Sequence, residues 1–94
     1  MTTTVTDAPD RGRYEISIDD EVVGFAAYQR RDGAIVFTHT EVDDDLEGQG
    51  VGSDLARGAL DDARAKGLHV VPRCPFIRAW IERHPDYADL VAAA

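Results

Sequence analysis

Cysteine occurs once in the 94 residues, as Cys74, and basic side chains are scarce: ten Lys and Arg stand against eighteen Asp and Glu. A lone cysteine closes no intramolecular disulfide, so a disulfide-stapled secreted scaffold is excluded. The net charge of −8 and the lack of any basic stripe argue against a nucleic-acid partner, because such binding rests on Lys and Arg displacing counterions from phosphates. No apolar run approaches the length of a membrane span, and Met1 to Asp10 have neither the basic nor the apolar region of a signal peptide. The expected setting is therefore the cytoplasm, away from a membrane. Three scattered histidines and one cysteine lack metal-ligand spacing, so no metal site is expected. What remains, 44% hydrophobic and 30% charged residues, is the make-up of an ordinary soluble globule, and this length supports a single core.

Residues 1–11 are Thr-rich, carry Pro9 and end at Gly12, and show no apolar period, which predicts a flexible leader before one domain over residues 12–94. Three segments rich in Val, Ile, Phe, Tyr and Thr follow: Tyr14 to Ile18, Glu21 to Arg30 and Ala34 to Val42. Asp19-Asp20 and Arg31-Asp32-Gly33 separate them at hairpin spacing, so a three-stranded antiparallel meander is expected. Gly24, inside the second segment, marks a bulge or a close backbone approach. Alternation along the third segment sets Ile35, Phe37, His39 and Glu41 on one face and Val36, Thr38, Thr40 and Val42 on the other.

From Val51 the apolar residues recur at helical spacing through Leu55, Ala56, Ala59, Leu60 and Ala63, and Gly67 supplies the stop. A fourth strand, Leu68 to Val71, must return parallel to the sheet by a right-handed crossover. Cys74-Pro75 reads as the N-cap and first residue of a second helix, with Phe76, Ile77, Trp80 and Ile81 as its apolar face and His84-Pro85 as its end. Asp86 to Val91 add a last turn. The fold class is α/β (α+β) in a single layered domain.

The chemistry concentrates where the third strand passes into the first helix. Gly48, Gly50 and Gly52 alternate there, and the absent side chains let backbone N–H groups converge on an anion at a helix N-terminus. A Gly-Lys-Ser/Thr element is lacking and the strand before the loop belongs to a meander, so neither a P-loop nor a Rossmann fingerprint is present. The stretch Val42-Asp43-Asp44-Asp45-Leu46-Glu47-Gly48-Gln49-Gly50-Val51-Gly52 resembles the signature of the GCN5-related N-acetyltransferases: a Val, a short variable stretch, Arg or Gln, two residues, Gly, one residue, then Gly or Ala. His39-Thr40-Glu41-Val42, Cys74-Pro75-Phe76 and His84-Pro85-Asp86-Tyr87 are similar to stretches of its compact YjdJ-type branch, and the likeness spans Arg13 to Val91.

The resemblance implies a minimal acetyltransferase-like fold, acetyl-CoA as co-substrate and an amine as acceptor. It places the pyrophosphate on the loop amides and the pantetheine along the strand ending at Val42, so that Val42, Gly48, Gln49, Gly50, Val51 and Gly52 hold the donor. Two departures stand out. Glu47 occupies the position of the usual Arg or Gln, and the last helix, Phe76 to Arg83, lacks the Tyr that in typical members protonates the leaving thiolate.

Three residues are candidates for catalysis, each with a structural alternative. Cys74 next to Arg73 at a helix start has the setting of a reactive thiolate, or is a small buried hydrophobe. His39 and Glu41 share a face as a base and its partner for deprotonating an amine, or are a half-buried histidine and a solvated carboxylate. Asp43-Asp44-Asp45 is a solvated turn, or a patch that attracts a cationic amine. Two functions follow: an acetyl-CoA-dependent N-acyltransferase acting on a primary amine, and a non-catalytic acyl-CoA-binding module that keeps the donor cradle alone.

Overall fold

The structure, a computed structural model, describes residues 2–46 and 48–91. Its sheet has five strands in sequence order: β1 (Thr3–Ala8), β2 (Arg13–Ile18), β3 (Glu21–Arg31), β4 (Ala34–Val42) and β5 (His69–Pro72). The first four form an antiparallel meander, and β5 joins β4 in parallel after the crossover helix α1 (Val51–Ala65). A second helix, α2 (Pro75–Arg83), starts at Cys74, and a 3-10 segment, Pro85–Leu90, ends the fold. The α/β class and the order from β2 onward are as the sequence predicts.

The leader is a correction. Residues 3–8 pair with β2 along its whole length, from Thr3 opposite Ile18 to Ala8 opposite Arg13. Thr3, Thr4, Val5 and Thr6 are β-branched and suit a pleated edge, and Pro9–Arg11 followed by left-handed Gly12 is the hairpin connection. Helix α1 accommodates this strand through a missing side chain. A Cβ at Gly58 would lie 2.7 Å from the Cβ of Val5, so the helix backbone rests directly on β1.

Helix α1 covers one face of the sheet with Leu55, Ala56, Ala59, Leu60 and Ala63, all fully buried against Tyr14, Ile16, Ala26, Ile35 and Phe37. Beside it, α2 is tied by Trp80 Nε1 donating to Ser53 Oγ at 2.8 Å, and the 3-10 segment by Tyr87 OH donating to Asp61 at 2.7 Å. The edge of α1 nearest β1 carries a polar chain: Tyr14 OH donates to Asp62, Tyr28 OH donates to Asp7, and Lys66 Nζ bridges the two carboxylates at 2.7 and 2.8 Å. Burial and the bond to Asp7 push the Tyr28 phenol up to about 12, so it stays a donor.

Two irregularities re-aim the sheet. Opposite β2, pairing steps from Gly24 to Val22 and leaves Val23 as an extra residue in β3. A Cβ at Gly24 would stand 2.8 Å from the Glu41 carbonyl oxygen, so the position is both bulged and crowded, and only glycine fits. In β4, Ala27 faces His39 while Tyr28 faces Phe37, so Thr38 is an extra residue. Beyond this bulge the alternation flips. The expected grouping of Ile35 and Phe37 with His39 and Glu41 is corrected: the first two point toward α1, the last two toward the opposite, uncovered face.

Candidate functional site

The bulge at Thr38 also divides β4 in its pairing. Residues 34–37 pair with β5, whose register ends with Phe37 opposite Pro72, and the Phe37 carbonyl accepts from the N–H groups of both Arg73 and Cys74. There β5 leaves the sheet to enter α2. Among the described residues, no strand pairs with the outer edge of β4 beyond Phe37.

This open edge leads to the start of α1. Gly48 and Gly50 adopt left-handed backbone with φ of 81° and 79°, and a Cβ at either would point into open space. Gly50 is the N-cap, and no side chain caps the helix there. The first N–H groups of α1, which have no partner within the helix, are therefore presented to whatever lies before it. Glu47, the position where the family resemblance expects Arg or Gln, lies outside the described residues.

A cleft of about 760 Å³ joins these parts. Gly48, Gly50, Val51 and Gly52 line one end, Val42, Thr40 and Gly24 the middle, and Glu41, Phe25 and Arg13 the end on the uncovered sheet face. Of the expected donor-binding residues, Gln49 alone faces elsewhere, in a smaller depression with Ile18 and Leu46. Phe76 departs from expectation. Spacing groups it with Ile77, Trp80 and Ile81, which are buried, whereas Phe76 is 38% exposed and lines the cleft. Its ring lies over Gly52, where a Cβ would come within 2.9 Å of it. Gly52 thus serves to seat an aromatic ring, while Gly48 and Gly50 leave room beside the amides.

His39 and Glu41 meet, with Nε2 3.3 Å from Oε1 and both side chains exposed; Glu41 lines the cleft, and His39 stands beside it outside the lining. Cys74 stands apart from them: it is 3% exposed, and its Sγ lies 3.2 Å from Thr40 Oγ1, beneath the cleft wall rather than in it. The Arg73 side chain is solvent-exposed. Spacing singled out neither Arg13 nor Phe25. Arg13 extends over the Phe25 ring, its Cζ 4.5 Å from the centroid, and both line the cleft. Glu15 anchors this corner: it accepts from Arg11 Nε and Nη2 at 2.9 and 2.7 Å and from Arg13 Nε at 2.8 Å. Hydrogen bonds from Arg11 and then Arg13, against the opposing effect of burial, hold its carboxyl down at about 2.

Among the described residues, no group of His, Cys, Asp and Glu is placed to hold a metal ion, and no helix is long and apolar enough to cross a membrane.

The sequence profile of the GCN5-related N-acetyl-transferase family matches residues 13–90. A search of curated proteins returned no match. The structure is similar to the NMR solution structure of a GCN5-like candidate N-acetyltransferase from Staphylococcus aureus, with a TM-score of 0.72 and 26% identity, over 97% of this chain and 89% of that one. It also shares its fold with a ribosomal-protein-alanine N-acetyltransferase from Brucella melitensis biovar Abortus 2308, with a TM-score of 0.55 and 22% identity, over 87% of this chain and 62% of that one. With 78 consecutive residues under the profile and the same fold beneath them, the chain belongs to the GCN5-related N-acetyltransferase family and is an acetyltransferase of that family.

Proposed function

We propose that the protein transfers an acetyl group from acetyl-CoA to a primary amine, as a minimal member of its family comparable to the compact YjdJ-type branch. One observation carries the reading: the uncapped start of α1 and the unpaired outer edge of β4 open into the same cleft. The N–H groups at Gly50, Val51 and Gly52 suit a pyrophosphate, because a helix N-terminus presents free donors and about half a positive charge. The free edge of β4 near Val42 suits the amide-bearing pantetheine arm, which can pair with it as a strand does. The donor supplies an activated thioester carbonyl.

The chain's own contribution is proton transfer and placement. An alkylammonium, of pKa about 10, is almost wholly protonated at neutral pH and cannot attack. The His39–Glu41 pair lies where an amine entering from the uncovered face arrives, and it takes the first proton. The freed nitrogen then bonds to the acyl carbon, the C–S bond breaks, and the nitrogen's second proton goes to the departing sulfur. One proton is released overall. Cys74, enclosed under Thr40, serves as a packed wall in this direct transfer and forms no acyl intermediate.

Gly50→Asp tests the donor site. It places a carboxylate and a strained left-handed residue at the anion cradle, at a folding cost of about 1–2 kcal/mol. Calorimetry should show CoA binding to the parent and none to the folded variant, with acetyl transfer lost in parallel. Unchanged CoA affinity in a folded Gly50→Asp protein removes the cradle assignment. CoA binding without transfer to any amine favours the non-catalytic acyl-CoA-binding module.

A further inference from the structure

The end of the cleft away from the glycine loop has two poles of opposite charge. One is Glu41, which lines the cleft, with His39 3.3 Å away beside it. The other is Arg13, the one basic side chain among the described residues that line the cleft. Glu15 does not neutralise this arginine alone, because it is shared: the fork of Arg11 engages both of its oxygens, while Arg13 places Nε and Nη2 each 2.8 Å from Oε2. Two guanidinium groups around one carboxylate leave the cluster at +1, in a chain whose net charge is −8. Glu15 is buried, at 6% exposure, whereas the Arg13 side chain keeps 29% of its surface open on the cleft side, with N–H groups to spare. Between the poles lies Phe25, its ring 4.5 Å from the Arg13 Cζ and 6.2 Å from the centre of the His39 ring.

We propose that the amine acceptor also carries a carboxylate, with its nitrogen at His39 and Glu41, its carboxylate on Arg13, and an aliphatic chain across Phe25. The inference rests on the acetyl-transfer reading above and names the acceptor class for that site. Each part of the molecule meets a group of fitting chemistry. The ammonium meets a carboxylate and an imidazole, the methylenes meet an aromatic ring, and the carboxylate meets the planar donor fork that suits it best. A simple diamine, by contrast, brings its second cation against an arginine. Asp43 and Asp44 also line the cleft and follow β4 toward the glycine loop in the chain.

Three acceptors of matched length separate the possibilities: ε-aminocaproate, hexylamine and hexamethylenediamine. With acetyl-CoA, the parent should show a kcat/KM for ε-aminocaproate at least about tenfold above hexylamine, with the diamine lowest. In Arg13→Gln the ratio should fall to about one, and Arg13→Lys, which keeps the charge without the fork, should lie between them. CoA affinity by calorimetry should stay within about threefold in both variants. Equal rates for the three amines in the parent overturn the acceptor class while leaving acetyl transfer in place. A loss of CoA affinity in Arg13→Gln that matches its loss of transfer also overturns it, since Arg13 would then serve the donor's phosphates. Binding of ε-aminocaproate to the CoA-saturated protein, followed by calorimetry, makes the two readings separable. Arg13-dependent binding with no transfer upholds the acceptor site and overturns the enzyme reading instead. Absence of both transfer and binding of the amino acid overturns the acceptor site.

Discussion

The two faces of the sheet differ in almost every physical respect. Toward α1, Tyr14, Ile16, Ala26, Ile35 and Phe37 are at most 1% exposed and meet a helix surface of Leu and Ala. Toward the other side, Phe25 and Ala27 are half-buried, His39 and Glu41 are exposed, and Glu15, the one buried charged residue among those described, is wrapped in guanidinium groups. One face supplies the apolar burial that holds a 94-residue chain together. The other carries groups that need water or a ligand. Stability and the proposed chemistry thus fall on opposite sides of the same strands, with the bulge at Thr38 as the point where β4 passes from one face to the other.

The strongest way to break this division is to truncate one aromatic on each face. Phe37→Ala opens a cavity in a fully buried position and should cost about 3–5 kcal/mol. Phe25→Ala removes a ring that is only half covered and should cost about 1 kcal/mol. Urea denaturation of the two variants checks this. Comparable costs would mean that the uncovered face is also core.

Much of this division was legible in the sequence, and the exceptions have specific causes. The span from β2 to α2 follows from β-branched runs, two tight turns and a 3.6-residue stripe, signals set by local chemistry. β1 is hidden because an edge strand with one inward apolar residue, Val5, has little hydrophobic period, and its partner signal is a glycine 53 residues later, at Gly58, whose reason is visible only in three dimensions. The bulge at Thr38 is invisible to a period-two reading, which assumes an unbroken ladder, so the shared face of His39 and Glu41 is readable and the identity of that face is not. The glycine loop is legible because left-handed backbone demands glycine. Arg13, Phe25 and Phe76 join the site by tertiary approach alone, and no spacing in the chain announces them.

Glu15 sharpens the comparison as the polar exception on the open side. Its carboxyl is held at about 2 in the fold against an ordinary 4.5. A carboxyl lowered by folding contributes stability above its unfolded value, and that contribution is lost as pH falls through 4.5 toward 2. Glu15→Gln should therefore cost about 2 kcal/mol at neutral pH, the worth of its charge-assisted hydrogen bonds. The gap between parent and variant should shrink as the pH is lowered through that window. Urea midpoints measured at several pH values test it, and a gap independent of pH would mean that Glu15 acts by packing rather than by charge.

The smallest stability effect is expected where the effect on activity is large. His39 and Glu41 form an exposed pair, with side chains 59% and 62% accessible, and pairs of this kind contribute about 0.5 kcal/mol or less because water and salt compete for both partners. The double variant His39→Gln, Glu41→Gln should therefore unfold within about 0.5 kcal/mol of the parent, and CoA, which the proposal places at the other end of the cleft, should bind within about threefold. Acetyl transfer to an alkylamine should fall at least about tenfold, with the largest deficit well below the amine's pKa, where nearly all of the acceptor arrives protonated and a proton must be removed before attack. Above that pKa the free amine is abundant and the deficit should narrow. A pH–rate profile on parent and variant decides the matter: a parental rate at every pH would make the pair ornamental to the reaction, and a large loss of stability would make the open face part of the core after all.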